Sequence, residues 1–150
     1  MLEALLAYAH FVAILAVVVF LTSETALCRP EWMNRAVVHR LVRLDRIYLV
    51  AALALLATGI ARATWGVKGT DWYWAQPLLH LKVTLFVVIG LMSIKPTLLF
   101  MRWKRALERD GALPAADEVR QARRWLMIQA HLLVLVPLAA ALLARGIWTR

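Results

Sequence analysis

Cysteine is almost absent from this chain, since Cys28 is the only one among 150 residues. An intrachain disulfide and a cysteine-based metal cluster are therefore excluded. The sequence also lacks a glycine-rich phosphate loop, a Ser/His/Asp pattern and a set of carboxylates at metal-ligand spacing. It contains no internal repeat and no low-complexity tract. These absences remove the usual sequence signatures of nucleotide-binding proteins and hydrolases.

Apolar residues are abundant instead: 63% of the chain is hydrophobic and the mean hydropathy is +0.68. They fall into four runs, at about residues 4–27, 46–64, 77–101 and 123–145. A helix needs roughly 20 apolar residues to cross a bilayer, and a soluble domain of this size does not carry four such runs. The sequence therefore predicts one domain over residues 1–150, an all-α polytopic membrane protein built as a four-transmembrane-helix bundle in contact with the lipid bilayer.

Acidic residues are scarce, with nine Asp and Glu against 18 Lys and Arg. Nucleic acid is not the expected partner of this excess, because the basic residues flank apolar spans and no nucleic-acid-binding motif accompanies them. Twelve of them lie between the first two or the last two spans or at the adjoining span edges, and four lie at or beyond the opposite span edges. Cytoplasmic loops carry such an excess, so we expect both termini outside and a multi-pass protein of the bacterial inner membrane.

Titratable side chains inside the spans are few and costly, so we expect them to face the bundle interior. His10 and Glu24 are fourteen residues apart in the first span, which places them on one helix face about 21 Å apart along the axis. His80 and Lys95 have a similar spacing in the third span, which runs in the same direction. Side by side, the two helices would bring His10 level with His80 and Glu24 level with Lys95. We therefore predict a structural ion pair between Glu24 and Lys95.

Two imidazoles at matched depth on facing membrane helices suit bis-histidine ligation of haem b. His10 and His80 are thus predicted haem iron ligands, and Arg62, Lys68 or Lys82 could meet the propionates. Two other interpretations remain open at this point. The histidines could form only helix–helix hydrogen bonds, or they could belong to a proton or quinone site.

The sequence does not say as clearly whether the other titratable residues of the spans face the bundle interior. His80 and Lys82 are two residues apart and so point about 200° from each other; they cannot both face the core. His131, in the fourth span, lies too far toward the cytoplasmic side to share an iron with His10. It is a weaker cofactor-binding candidate, which could pair with His39 at a second haem. A solvated interfacial role for His39 is the simpler interpretation.

Several segments resemble an uncharacterised bacterial family of four-helix membrane proteins, domain of unknown function 2214. They are residues 43–48 (Arg-Leu-Asp-Arg-Ile-Tyr), 80–86 (His-Leu-Lys-Val-Thr-Leu-Phe), 93–97 (Ser-Ile-Lys-Pro-Thr) and 143–147 (Leu-Ala-Arg-Gly-Ile). The resemblance covers nearly the whole chain. It implies the four-helix membrane fold, and it implies no particular activity because the family is uncharacterised.

A more distant resemblance is to the HemJ-type protoporphyrinogen oxidases, through His10 in the first helix and the His-x-Lys of His80 and Lys82 that opens the third. It implies a four-helix membrane protein that binds haem b and oxidises a porphyrinogen.

The leading functional hypothesis is accordingly a membrane haem b protein that transfers electrons or carries out a HemJ-like oxidation, with a membrane or quinone redox partner. The alternative is a cofactor-free structural or accessory subunit of a membrane complex. Either protein would be a homo-oligomer or part of a larger assembly. A proton-coupled transporter is less favoured, because the sequence has no internal repeat from which to build alternating access.

Overall fold

The computed structural model describes residues 1–65 and 77–144 and consists of four long helices. These are α1 (Leu2–Leu27), α2 (Arg35–Trp65), α3 (Pro77–Asp110) and α4 (Ala116–Ala144). A single 3-10 turn, Pro30–Trp32, lies between α1 and α2. The predicted propionate partner Lys68 and the end of the family-like segment at 145–147 lie outside the described residues.

The helix ends follow from local sequence. α1 ends at Leu27, and Pro30 lies shortly after that end, in a position where it cannot continue the helix. α2 begins after Asn34, whose side-chain Oδ1 accepts a 3.0 Å hydrogen bond from the Val37 amide as an N-terminal cap. From there α2 runs for 31 residues without a break, so the basic stretch at its start continues directly into the second predicted span.

The connection between α3 and α4 is also set by local chemistry. α3 runs to Asp110, nine residues beyond the predicted end of its span at 101. Gly111 then adopts a φ of +68°, the left-handed conformation that commonly ends a helix, and its amide donates to the Leu107 carbonyl at 3.0 Å. α4 starts with Asp117 and Glu118 in its first turn, where negative charge favours the helix dipole.

The bundle has a dry interior and an apolar exterior. Among the described residues, α1, α2 and α3 are each long and apolar enough to cross a membrane, and α4 carries the fourth predicted span. Only 17–22% of each apolar window in α1–α3 is buried inside the bundle. Large side chains such as Phe11, Leu15, Val50 and Leu91 point outward. Lipid tails are the environment in which such a surface is stable, so the protein is a membrane-embedded helical bundle.

The four helices form a ring. α1 packs most extensively on α2 and α3 on α4, and smaller α2–α3 and α1–α4 contacts close the ring. α1 and α3 therefore lie diagonally opposite each other. We call the end where α1 stops, α2 starts, α3 stops and α4 starts the basic end. Its core is the tightest part of the bundle, with Leu21, Leu41, Phe100, Val119 and Leu126 almost completely buried.

One acidic residue joins α3 to α4 at the basic end. The carboxylate of Glu118 accepts hydrogen bonds from Arg102 Nη2 at 2.7 Å and from Trp103 Nε1 at 2.9 Å. The Trp103 ring is buried and packs at 5.5 Å, centroid to centroid, on Phe100. This contact holds the basic end together and positions the polar side chains above it.

Candidate functional site in the bundle interior

His10 lies half-buried on α1, in contact with α2 at the end of the bundle opposite the basic end. Its Nδ1 is 2.9 Å from the Thr58 hydroxyl oxygen. That hydroxyl has one hydrogen, and its shortest contact is the Ala54 carbonyl at 2.7 Å, so we assign the hydrogen to the carbonyl. The Thr58 oxygen then accepts from the protonated Nδ1 of His10, and the lone pair of the ring is on Nε2. This is how metal-binding histidines are held: one nitrogen is fixed by a hydrogen bond and the other is available.

Two further features surround the His10 ring. A Cβ at Gly59 would come within 3.4 Å of His10 Cε1, so the absence of a side chain lets the imidazole lie against the α2 backbone. The positive charges of Arg62 on α2 and Lys82 on α3 both act on the ring. The structure therefore groups His10 with Thr58, Arg62 and Lys82, and we call these four residues the histidine layer.

His80 and Lys82 differ in exposure, as expected for two residues that point about 200° from each other. Lys82 is the half-buried member of the pair and reaches the histidine layer, whereas His80 has an exposed side chain in the second turn of α3. Only one of two residues separated by about 200° can face inward, and in this structure that residue is Lys82. The pairing of His10 with His80 through an iron atom stays a prediction.

A second polar group lies near the basic end, and each of three helices contributes to it. Glu24 on α1 is 1% exposed and Asp45 on α2 is 4% exposed. Thr97 on α3 donates a 2.8 Å hydrogen bond to Asp45 Oδ1. Tyr48, also buried, forms a hydrogen bond with the Ser93 side chain. We call these five residues the carboxyl layer.

The carboxyl layer is short of hydrogen-bond donors. Oε1 of Glu24 is buried and has no hydrogen-bond partner. Asp45 acts electrostatically on Glu24, and the charges of both residues act on Tyr48. Buried carboxylates are normally paired or hydrogen-bonded, so an unsatisfied oxygen beside a second carboxyl group marks this layer as unusual.

The predicted ion pair between Glu24 and Lys95 is not formed. Lys95 is exposed on α3, and its Nζ lies 4.5 Å from the ring centroid of Trp125 on α4, a cation–π contact. Glu24 faces Asp45 on α2 instead. The physical reason is the helix order: α1 and α3 are diagonal, so matched depth along the axis does not bring their side chains together.

His131 does not reach the interior either. Its side chain is exposed on α4, and its Nδ1 lies 2.6 Å from the Met127 carbonyl of the same helix. This local bond satisfies the ring without a partner from another helix. The structure therefore provides no support for a second haem between His131 and His39, which is half-buried near the start of α2.

Gln129 on α4 was not singled out from the sequence, although it is one of the most deeply buried residues. It is 0% exposed, and neither its amide nitrogen nor its amide oxygen has a hydrogen-bond partner. Asp45, Ser93 and Thr97 were also not identified as site residues. A search for every polar residue within the apolar spans, rather than for charged residues and histidines alone, would have found them.

Within the part of the chain that the structure describes, no group of three or more His, Cys, Asp or Glu side chains could hold a metal ion by itself. The molecule is thus a polytopic helical membrane protein with two small polar layers at different depths in its interior. The family model described as a predicted membrane protein, DUF2214, matches residues 2–148, and the chain belongs to this family. Comparison with curated proteins gives no match, and neither does comparison with solved structures.

Proposed function

We propose that this protein binds haem b through His10 and serves as a membrane electron-transfer protein. The observation that supports the proposal most directly is the Thr58 hydrogen bond, which leaves His10 Nε2 as the ring nitrogen with a free lone pair. A neutral imidazole with that arrangement is the usual axial ligand of haem iron. When bound, haem b supplies a one-electron redox centre, and the chain's own residues hold and orient it.

The charges near His10 fit such a cofactor. Haem carries two carboxylates, and Arg62 and Lys82 provide two cations whose charges converge on the His10 ring. Charge-assisted hydrogen bonds between these groups would anchor the cofactor and neutralise the exposed Arg62 and the half-buried Lys82. His80, in the second turn of α3, is the predicted second ligand.

The test is a dithionite-reduced minus oxidised absorbance spectrum of the detergent-purified protein, made in cells with an ample haem supply. We expect the Soret and α bands of haem b in the native chain and their loss in His10→Ala. Thr58→Val removes only the orienting hydrogen bond, so it should weaken haem retention by about 10- to 100-fold. His80→Ala should change the spectrum from six-coordinate low-spin to five-coordinate high-spin if His80 is the second ligand.

His131→Ala is the matched control, because His131 is exposed and bonded within its own helix. It should retain full haem content. Full haem in His10→Ala would overturn the proposal, as would a native protein without haem. The second result would favour the cofactor-free accessory subunit, and the next step would be to identify chains that co-purify.

The finer hypothesis of a HemJ-like porphyrinogen oxidation rests on the same cations. Arg62 and Lys82 could hold the carboxylates of a tetrapyrrole substrate as well as those of haem. Expression of this chain in a strain that lacks protoporphyrinogen oxidase tests it: growth without added haem supports the enzyme. Failure to rescue, with haem bound and the protein in the membrane, supports electron transfer alone.

We also propose the bacterial inner membrane as the location, with both termini outside and a membrane or quinone redox partner. The supporting observation is the concentration of basic residues at one end of the bundle. Assembly as a homo-oligomer or as a subunit of a larger complex belongs to the same proposal.

A further inference from the structure

The carboxyl layer and the buried Gln129 lie at different depths in the bundle, which can be counted from a shared level near the basic end. Cys28 Sγ lies 3.8 Å from the Val119 carbonyl, so these two residues are level with each other. With a rise of 1.5 Å per residue, Glu24 lies about 6 Å above that level on α1 and Gln129 about 15 Å above it on the antiparallel α4. Gln129 is therefore about 9 Å further along the bundle axis from the basic end than Glu24.

Both of these side chains carry unsatisfied polar atoms. Glu24 is 1% exposed and Gln129 is 0% exposed, and Glu24 Oε1 and both amide atoms of Gln129 have no hydrogen-bond partner. Such atoms are rare in a core and indicate a missing hydrogen or a missing bound group. The two residues lie on different helices, α1 and α4.

The Thr97 and Ser93 hydroxyl groups near the two carboxyl groups donate their hydrogens to other acceptors than Glu24. Thr97 donates its hydrogen to Asp45 at 2.8 Å. Ser93 donates to the Gly90 carbonyl at 2.6 Å, and Tyr48 bonds to Ser93. The hydroxyl hydrogens of Thr97 and Ser93 are therefore not available to Glu24 Oε1, which is buried and has no hydrogen-bond partner.

Two cations near this end of the bundle lie over aromatic rings, and one of them, Arg29, also has a buried Nε without a hydrogen-bond partner. Lys95 on α3 lies over Trp125, and Arg29, just after α1, lies 4.9 Å from the ring centroid of Trp32. Arg123 on α4 acts on the Cys28 thiol, which also faces Glu24. On α2 the groups that face Glu24 are Asp45 and Tyr48, neither of which brings positive charge.

We propose that Glu24 and Asp45 form a proton-binding site that takes up and releases one proton within the membrane. The proton binds to a carboxylate oxygen, forms an O–H bond there and removes one of two adjacent negative charges; on release it returns to water as hydronium. Glu24 lies three residues before the end of α1, about 5 Å along the axis, so exchange takes place with water at the basic end. Ionisable residues with this placement are typical of proton relays. The inference does not depend on haem.

The test is attenuated total reflection infrared spectroscopy of the full chain reconstituted in lipid, with buffers of alternating pH flowing over it. We expect a protonated carboxyl C=O band that disappears at alkaline pH and is lost in Glu24→Gln or in Asp45→Asn. Glu31→Gln is the matched control, since Glu31 is an exposed carboxylate at the same end, and should leave the band unchanged. Thr97→Val, which changes only the bond to Asp45, should move the band.

Three results would overturn the proposal. The first is the absence of any such band in the native protein at every pH. The second is a band that survives in both Glu24→Gln and Asp45→Asn while far-UV circular dichroism shows intact helices. The third is loss of the band when sodium replaces choline at constant pH, which would identify a metal cation rather than a proton as the ligand. Loss of haem in the spectral test above would leave all three outcomes unaffected.

Discussion

Replacing Glu24 by methionine should make the protein more stable. Glu24 is 1% exposed and its Oε1 is unsatisfied, and a buried acceptor without a partner costs about 1–3 kcal/mol. Methionine is unbranched, apolar and flexible enough to fill nearly the same space. The substitution also removes a carboxyl group whose charge is disfavoured by burial and by Asp45. We therefore expect Glu24→Met to raise the free energy of unfolding by about 1–3 kcal/mol.

The measurement is reversible unfolding in mixed micelles of dodecyl sulfate and a mild detergent, followed by far-UV circular dichroism. Glu31→Met is the control: Glu31 is exposed at the basic end, so its replacement should change stability by less than about 0.5 kcal/mol. If Glu24→Met lowered stability by more than about 1 kcal/mol, Glu24 would have a stabilising partner in the folded protein, and the reasoning from its unsatisfied oxygen would be refuted.

Two further predictions concern the neighbours of this residue. Thr97→Val removes the 2.8 Å hydrogen bond to Asp45 and should lower the free energy of unfolding by about 1 kcal/mol in the same assay; an unchanged value would show that Asp45 does not need this donor. Burial and the nearby Glu24 charge raise the pKa of the Cys28 thiol to about 12. At pH 8 the folded chain then holds about 1,000-fold less thiolate than a free thiol, so a water-soluble maleimide should label Cys28 only in dodecyl sulfate. Rapid labelling of the native protein would contradict this.

The sequence predicted the helices well because membrane helices are dictated by composition. A run of about 20 apolar residues in a bilayer must form a helix to satisfy its backbone hydrogen bonds. Helix ends are set by neighbouring residues such as Asn34, Pro30 and Gly111, which can be recognised in the sequence. The four spans and the uninterrupted entry into α2 follow from these local rules. The extension of α3 to Asp110 was missed, because the residues after 101 are basic and amphipathic and leave the apolar run.

The partners of the polar residues could not be predicted in the same way. Helix periodicity correctly placed His10 and Glu24 on one face of α1, but it contains no information on which helix that face meets. Matched depth suggested α3, with His80 and Lys95, whereas α1 packs mainly on α2, where the partners are Thr58 and Asp45. The order of helices around a ring is set by packing between segments distant in sequence. A single sequence with no internal repeat gives no signal for it.

The two polar layers are best explained together by their positions on α1. His10 and Glu24 are about 21 Å apart along one helix, a large part of the roughly 30 Å thickness of a bilayer core. Gln129 is unsatisfied and lies between them in depth, by its spacing from Val119. A bundle that needed polar residues only to fix helix register would satisfy each one, as Thr97 satisfies Asp45. Glu24 Oε1 and the amide of Gln129 have no such partner, which is consistent with the proposal that Glu24 binds and releases a proton.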